Sequence, residues 1–375
     1  MIEIETIAEF AEFLKRGKDW NDIAVQGLDL TNYSHQLLEC NFRGSVFLGC
    51  RLEEAAVHRI MQTGGLHFSD IDHIPYKPFR GALYTRETLF EGFDPRNPGS
   101  YRQTTDWKIY RHYLETGKHN PDSILETLVR RLHDFSISDA LNDFLGSLEN
   151  KNRIAAVMGG HSLSRESRDF KKVARISREL ARSGYLMISG GGPGAMEATH
   201  LGARFAGYSE VDMDDALRIL AGAPLYFDPR WLSTAYEVIE RFPARQYHGA
   251  WVESIGIPTW LYGHEPATPF ASRIAKYFAN SVREEGLLAL AVGGVIFAPG
   301  SAGTIQEIFQ DACQNHYESF GLASPMAFLN TRYWQEEKPV FPLLTRLAAG
   351  EKYAALLSIS DEAEAIVRAI TDFKP

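Results

Sequence analysis

The sequence predicts an α/β protein: a doubly wound parallel sheet with an N-terminal accessory region of another kind. Three observations lead there. From Arg153 onward, short apolar runs alternate with amphipathic helical stretches, the pattern of parallel strands joined by helical crossovers. Val295 to Gln310, V-I-F-A-P-G-S-A-G-T-I-Q-E-I-F-Q, reads as a buried strand (Val295 to Ala298), a Pro-Gly turn (Pro299 to Gly303) and a helix opening at Thr304. Leu186 to Ala198 repeats that plan, with Ser189-Gly190-Gly191-Gly192-Pro193-Gly194 as its turn. Glycines at such turns let a ligand approach bare backbone. The helix N-terminus behind them offers free N–H groups and partial positive charge, which suit phosphate. The combination is Rossmann-like.

Composition narrows the function classes. A chain of 375 residues is long enough for more than one module. A formal charge of −9 argues against a general nucleic-acid grip, which needs clustered Lys and Arg. Cys40, Cys50 and Cys313 form neither a disulfide framework nor metal-ligand spacing, and point to a reducing cytoplasm. The N-terminus is acidic from Glu3 on, unlike a signal peptide. The longest apolar run, Leu287 to Ala298, is too short to span a bilayer, so no membrane partner is expected.

The first region is expected over residues 1–56. A helix is predicted across residues 2 to 22, with Ile7, Phe10, Ala11 and Leu14 on one face. Leu37, Phe42, Phe47 and Leu52 then recur every five residues, with small Cys40, Ser45 and Cys50 two positions before the last three. A period of five fits neither helix nor strand. It resembles pentapeptide repeats, which coil into a square right-handed β-helix; a pair of irregular strands is the alternative. Either way the region is read as an accessory or oligomerisation element.

Residues 57–150 are expected to be a loop-rich and helical connection. Trp107, Tyr110, Tyr113 and Leu114 share one helical face, and Pro121-Asp122-Ser123 starts a further helix carrying Ile124, Leu128 and Leu132.

The nucleotide-binding domain is predicted over 151–345. Ile154 to Met158 is a strand ending in Gly159-Gly160. Arg165 to Arg182 is a helix with Phe170, Val173, Ile176 and Leu180 inward, stopped by Gly184. Tyr185 to Ile188 is the next strand and Met196 to Phe205 the next helix. Residues 208–250 look like an insertion, either a lid that affects base selection (with Arg241, Arg245, Tyr247 and His248) or a surface subdomain. Ile255 to Tyr262 is a strand. Pro269 to Glu285 is predicted helical, interrupted at Gly286, with Arg273, Lys276, Asn280 and Arg283 on its polar face. Pro325 to Asn330 is the last strand, and 346–375 a C-terminal helical segment.

The turn Gly190 to Gly194 lacks the G-x-G-x-x-G spacing, and no ribose-binding acid follows the first strand at the expected distance, which speaks against an ordinary NAD site. More specific is the pairing of G-G-G-P-G-A-M-E-A (Gly190 to Ala198) with P-G-S-A-G-T-I-Q-E (Pro299 to Glu307) about a hundred residues later. This pair resembles the LOG family, the lysine decarboxylase-like Rossmann proteins, whose pattern is G-G-G-x-x-G-x-M with P-G-G-x-G-T-x-x-E. The resemblance covers roughly residues 151 to 345. The family includes cytokinin-activating phosphoribohydrolases and nucleotide 5′-monophosphate nucleosidases. It implies hydrolysis of the N-glycosidic bond of a nucleoside 5′-monophosphate to free base and ribose 5-phosphate, without metal or cofactor, by a dimer or larger homo-oligomer. A non-catalytic nucleotide-binding or sensing protein on the same fold is the alternative.

Carried onto this chain, the motif glutamate is Glu307. The family's arginine, some two dozen residues upstream, falls on Arg283 with one residue inserted, and Arg273 is the reserve. The chemistry is coherent. Breaking a ribosyl–base bond builds positive charge on the ribose, which a carboxylate can stabilise while it positions water. An arginine can hold that carboxylate ionised or contact phosphate. Gly190, Gly191, Gly192, Gly194, Met196, Glu197, Pro299, Gly300, Ser301, Gly303 and Thr304 complete the expected phosphate and ribose contacts. Two of these residues have another reading. Thr304-x-x-Glu307 is also a capping-box spacing, and Glu197 would suit its helix N-terminus. His161 and Ser162 follow the first strand and could touch a ligand. Ser301 replaces the second motif glycine and Gln306 a common Glu.

Overall fold

The computed structural model describes residues 1–374, and the chain divides into two units: residues 1–83 with 112–146, and residues 84–111 with the chain from 147 on.

The first unit begins with β1 (Ile2–Ile4), α1 (Ile7–Leu14), β2 (Ile23–Gln26), α2 (Ser34–Leu37), β3 (Val46–Leu48), α3 (Glu54–Gln62) and β4 (Leu66–Phe68). The four strands pair in parallel and in chain order. Ile2 lies opposite Ile23, Ala24 opposite Val46 and Val46 opposite Leu66, so the chain climbs one layer every 20 or so residues. Parallel bridges Asp19–Asn41 and Asp29–Arg51 repeat this climb outside the strands. Leu37, Phe42 and Phe47 are fully buried, and Cys40, Ser45 and Cys50 are nearly so. The five-residue spacing therefore marks an inward-facing set. Trp20, Phe42 and Phe47 stack edge to face inside it. The predicted helix 2–22 is shorter than expected, because Ile2–Ile4 joins the sheet and Thr6 caps α1 in a capping box with Glu9.

The chain next forms α4 (Arg86–Leu89) and α5 (Thr105–Glu115), rejoins the first unit at His112 within α5, and continues there through α6 (Ile124–Gly146). Ile124 and Leu128 of α6 are exposed, while Val129, Ile137 and Leu141 are buried.

The second unit carries β5 (Ile154–Met158), α7 (Arg168–Arg182), β6 (Leu186–Ser189), α8 (Ala195–Arg204), α9 (Glu210–Leu220), α10 (Trp231–Arg241), the hairpin β7 (Gln246–Tyr247) and β8 (Ala250–Trp251), then β9 (Ser254–Gly256), β10 (Arg273–Ile274), α11 (Asn280–Leu290), β11 (Gly294–Phe297), α12 (Ala302–Tyr317), β12 (Met326–Leu329), α13 (Val340–Leu347), β13 (Leu357–Ser360) and α14 (Ala363–Thr371). Seven strands make one parallel sheet in the order β10-β9-β6-β5-β11-β12-β13. This is a Rossmann-like, doubly wound sheet. Its order reverses between β5 and β11, where a ligand crevice opens at the carboxyl ends of strands. One face packs Ala155, Val157, Met187, Ile296 and Ala327 against α7, α8, α9, α10 and α14. On the other, Phe297 stacks on Phe328, which also meets Trp334 and Phe341. The inward residues expected for α7, Phe170, Val173, Ile176 and Leu180, are all fully buried. Among the described residues no helix is long and apolar enough to cross a membrane.

Three expected boundaries shift. Residues 84–111 belong with the sheet unit: Tyr84 bridges Ile274, and Asp106 ion-pairs with Lys276 at 2.6 Å, both side chains about 1% exposed. The segment after 345 is not only helical, since β13 extends the sheet. Residues 269–279 are extended rather than helical. Phe270, Ala271, Ile274, Ala275, Tyr277 and Phe278 are all buried there, so no polar helical face exists, and α11 starts only at Asn280 and runs through Gly286.

Candidate functional site

A cavity of about 540 Å³ opens over the carboxyl ends of β5, β6, β9 and β11. Its wall is built from the loops that follow those strands: Gly159 to Ser164, Gly190 and Gly192, Pro258 and Thr259, and Pro299 to Thr304. The β5 and β11 loops are tied together by the Gly160 N–H, which donates to Pro299 O at 2.9 Å.

Two glycines are required by close approach. At Gly194, with φ +68°, a Cβ would lie 2.3 Å from Gly160 O, so the backbone of α8's cap presses directly on the β5 loop. At Gly300 a Cβ would lie 2.1 Å from Thr304 Oγ1, so only glycine lets the first turn of α12 fold over its own entry loop. The triple-glycine loop is also braced from below. Ser189 Oγ accepts the Gly191 N–H at 3.1 Å and lies 2.8 Å from His200 Nε2, and His200 Nδ1 lies 3.0 Å from Ser254 Oγ. Burial pushes the His200 pKa down to about 3, which keeps the imidazole a neutral hydrogen-bonding strut.

The helix α12 begins at Ala302, two residues before the expected Thr304, with Ser301 as its N-cap. Thr304 therefore sits inside the first turn, and Glu307 lies beyond the capping position. The capping-box reading of Glu307 is excluded by this register. Ser301 makes no side-chain cap bond, and residues 301–304 line the cavity, so the first turn of α12 faces it.

Glu307 projects from α12 into the cavity, with its side chain 14% exposed. Its Oε1 lies 3.5 Å from Arg283 Nη1. Burial raises the Glu307 pKa to about 7; Arg283 opposes the rise and Glu284 adds to it. Arg283 occupies the first turn of α11 and is only 8% exposed, not a solvated residue near a helix C-terminus. Its Nη2 also bonds Asn280 Oδ1 at 3.1 Å and Glu284 Oε1 at 3.3 Å. Gln306, the departure beside Glu307, donates to Glu284 Oε2 at 3.1 Å and so helps hold this network. A Cβ at Gly190 would stand 3.3 Å from Arg283 Nη1, so the glycine loop lies against the guanidinium.

Of the predicted residues, Gly190, Gly192, Met196, Arg283, Pro299, Gly300, Ser301, Gly303, Thr304 and Glu307 meet at the cavity, as do His161 and Ser162. Four do not line it. Gly191 and Gly194 shape the loop from behind. Arg273 lies on β10, outside α11, with Nε 3.6 Å from Glu253 Oε2. Glu197 is completely buried and held by Arg165, which rules it out as a ligand contact. The insertion 208–250 is no lid: Met213, Ala216, Leu217, Leu220, Ala235 and Val238 join the sheet core, and none of Arg241, Arg245, Tyr247 and His248 lines the cavity.

Sequence reasoning missed Tyr262, Glu265, Glu284 and Tyr333. Tyr333 donates its hydroxyl to Gly300 O at 2.5 Å. Glu265 is 12% exposed and lies 3.4 Å from His161 Nδ1 and 3.7 Å from His264 Nε2. The signal available for Glu265 was its place in G-H-E-P, just beyond the strand expected over Ile255 to Tyr262, which in the structure ends already at Gly256.

No protein-family model matches the chain, and no curated protein does. Among solved structures it is similar to the molybdenum cofactor binding protein of Rippkaea orientalis (15% identity, 58% of this chain and 95% of that one, TM-score 0.34). It is also similar to the molybdenum cofactor carrier protein of Chlamydomonas reinhardtii, in one structure at 15% identity with TM-score 0.36 and in another at 16% with TM-score 0.37. These cover 58% of this chain and 96% and 95% of theirs.

Proposed function

We propose that this is a LOG-like nucleoside 5′-monophosphate phosphoribohydrolase, which releases free base and ribose 5-phosphate. The observation that carries the reading is the Arg283–Glu307 pair, set in the wall of a cavity whose other walls are two glycine-rich strand-to-helix loops. The first turn of α12, from Ser301 to Thr304, takes the 5′-phosphate on its free N–H groups and positive end. Glu307, one turn further in, faces C1′. Its ionised form stabilises the positive charge that grows on the ribose and orients water for attack. Arg283 favours the ionised form of that carboxylate and holds it in place. The protein acts in the cytoplasm, in keeping with three unpaired cysteines, and as a dimer or larger homo-oligomer.

The test is incubation of the purified protein with AMP, GMP, IMP, CMP and UMP in turn, with chromatography for free base and ribose 5-phosphate. Release from at least one, lost in Glu307→Gln, is the expected result. Binding of a nucleotide with no release from any would replace the reading with a nucleotide-binding protein that does not turn over its ligand.

A further inference from the structure

The cavity lining carries more carboxyl groups than cations. Among the described residues that line it, Glu265, Glu284 and Glu307 are carboxyl groups, and Arg283 is the one permanent cation. Arg283 contacts Glu307 through Nη1 and Glu284 through Nη2. Glu284 takes further hydrogen bonds from Asn280 at 2.6 Å and Gln306 at 3.1 Å. Glu265 stands outside this network. Its Oε1 pairs with the imidazoles of His161 and His264, and Arg283 acts on it through its field. With all three carboxyls ionised these groups carry a net −2 against an incoming phosphate, and a proton on one carboxyl lowers that to −1 and weakens the repulsion. Glu265 is the group placed to carry that proton. Burial favours its neutral form, against the opposing pull of His264 and Arg283, and burial also favours neutral His161.

Glu265 is also within reach of the ligand path. Its Oε2 would be 3.8 Å from a Cβ at Gly192, as Arg283 Nη1 is 3.3 Å from one at Gly190. The triple-glycine loop thus runs past both groups.

Resting on the phosphoribohydrolase reading above, we propose that Glu265, flanked by His161 and His264 in the same cavity as Glu307, is the proton donor to the departing base. The C1′–N bond breaks with its electron pair going to the base. The Glu265 carboxyl O–H gives its proton to a ring nitrogen, so the base leaves neutral and Glu265 is left as the carboxylate. Water adds to C1′ and loses its proton to the Glu307 carboxylate, giving ribose 5-phosphate. Exchange with solvent then returns the proton from Glu307 to Glu265.

The test compares leaving groups in the full-length protein. A purine leaves well only when protonated, whereas the pyridinium of nicotinamide mononucleotide leaves as neutral nicotinamide with no proton needed. Glu265→Gln should lower turnover of the purine nucleotide by ~100-fold or more. It should leave nicotinamide mononucleotide turnover, or that of 4-nitrophenyl ribofuranoside 5-phosphate, within about threefold of wild type. It should also abolish the alkaline fall of kcat/KM with the purine substrate, since the proton on Glu265 is what a rise in pH removes. Glu307→Gln should abolish turnover of all three. Equal losses on both kinds of leaving group, an unchanged purine rate, or an alkaline limb that persists in Glu265→Gln would overturn the proposal while leaving the hydrolase reading intact. A wild-type protein that cleaves no nucleotide overturns the hydrolase reading and this proposal with it. Thermal unfolding of Glu265→Gln and its binding of ribose 5-phosphate, both expected near wild type, separate lost chemistry from lost folding.

Discussion

Arg165 and Glu197 meet through two parallel hydrogen bonds, Nε to Oε2 at 2.9 Å and Nη2 to Oε1 at 2.5 Å, with neither side chain more than 1% exposed. The same guanidinium donates from Nη1 to Ala223 O at 3.0 Å and to Thr234 Oγ1 at 2.8 Å, and lies over the Trp231 ring. One buried cation therefore joins α8, directly behind the triple-glycine loop, to the α9–α10 insertion. Arg165→Met should destabilise the protein by about 3–5 kcal/mol, because it strands the Glu197 carboxylate in the core. The double variant with Glu197→Leu should recover part of that loss. Urea unfolding of both variants is the measurement, and a single-variant loss below about 1 kcal/mol would show that the pair contributes little.

Glu307→Gln should abolish turnover and leave nucleotide affinity within a fewfold of wild type. The substitution keeps the side chain's shape and removes only the charge beside Arg283. Isothermal titration with the product ribose 5-phosphate, run beside the activity assay, separates the two effects. Full activity in the variant would remove Glu307 from the mechanism.

Arg283→Ala should lower both turnover and binding, by roughly 100-fold in kcat/KM, as expected for a buried charged contact. Arg273→Ala, on β10 and away from the cavity, should change neither by more than about twofold. The reverse order would move the assignment to Arg273.

The pH dependence of stability follows from the Glu307 pKa of about 7, above its ordinary value of 4.5. A carboxyl raised on folding favours the folded state only while protonated. Its effect on stability is absent below pH 4.5 and grows more unfavourable as pH climbs to about 7, by the order of 3 kcal/mol in all. Glu307→Gln should therefore match wild type near pH 4 and exceed it in denaturant midpoint at pH 8. A variant less stable than wild type at pH 8 would contradict the raised pKa.

How far the sequence could be read depended on how local each signal was. The strand–glycine–helix turns at 186–198 and 295–310 were legible because strand, turn and helix are each coded within a dozen residues. The five-residue spacing of Leu37, Phe42 and Phe47 was legible for the same reason. Residues 269–279 misled because Phe270, Ile274 and Phe278 fall at helical spacing, yet they serve a buried extended segment. What decides that conformation is distant in sequence: Tyr84 pairs with the Ile274 backbone, and Asp106 takes the Lys276 ammonium 170 positions away. Glu265 was illegible for a different reason. It sits in an irregular loop, and its place in the cavity is set by groups distant in sequence: His161 after β5, the triple-glycine loop after β6 and Arg283 on α11.

The division of the chain has a consequence for how its modules can be inherited and exchanged. Residues 84–111 belong to the second unit and 112–146 to the first, so neither unit is one uninterrupted stretch. A single recombination junction cannot swap one unit without cutting the other, and a gene fragment starting at residue 147 would encode a sheet whose buried Lys276 has lost Asp106. On the ribosome the first unit stays incomplete until α6 emerges, after Asp106 has already been made. The two halves of this protein are thus interleaved at the level of the message, and would be expected to travel through evolution as one cassette.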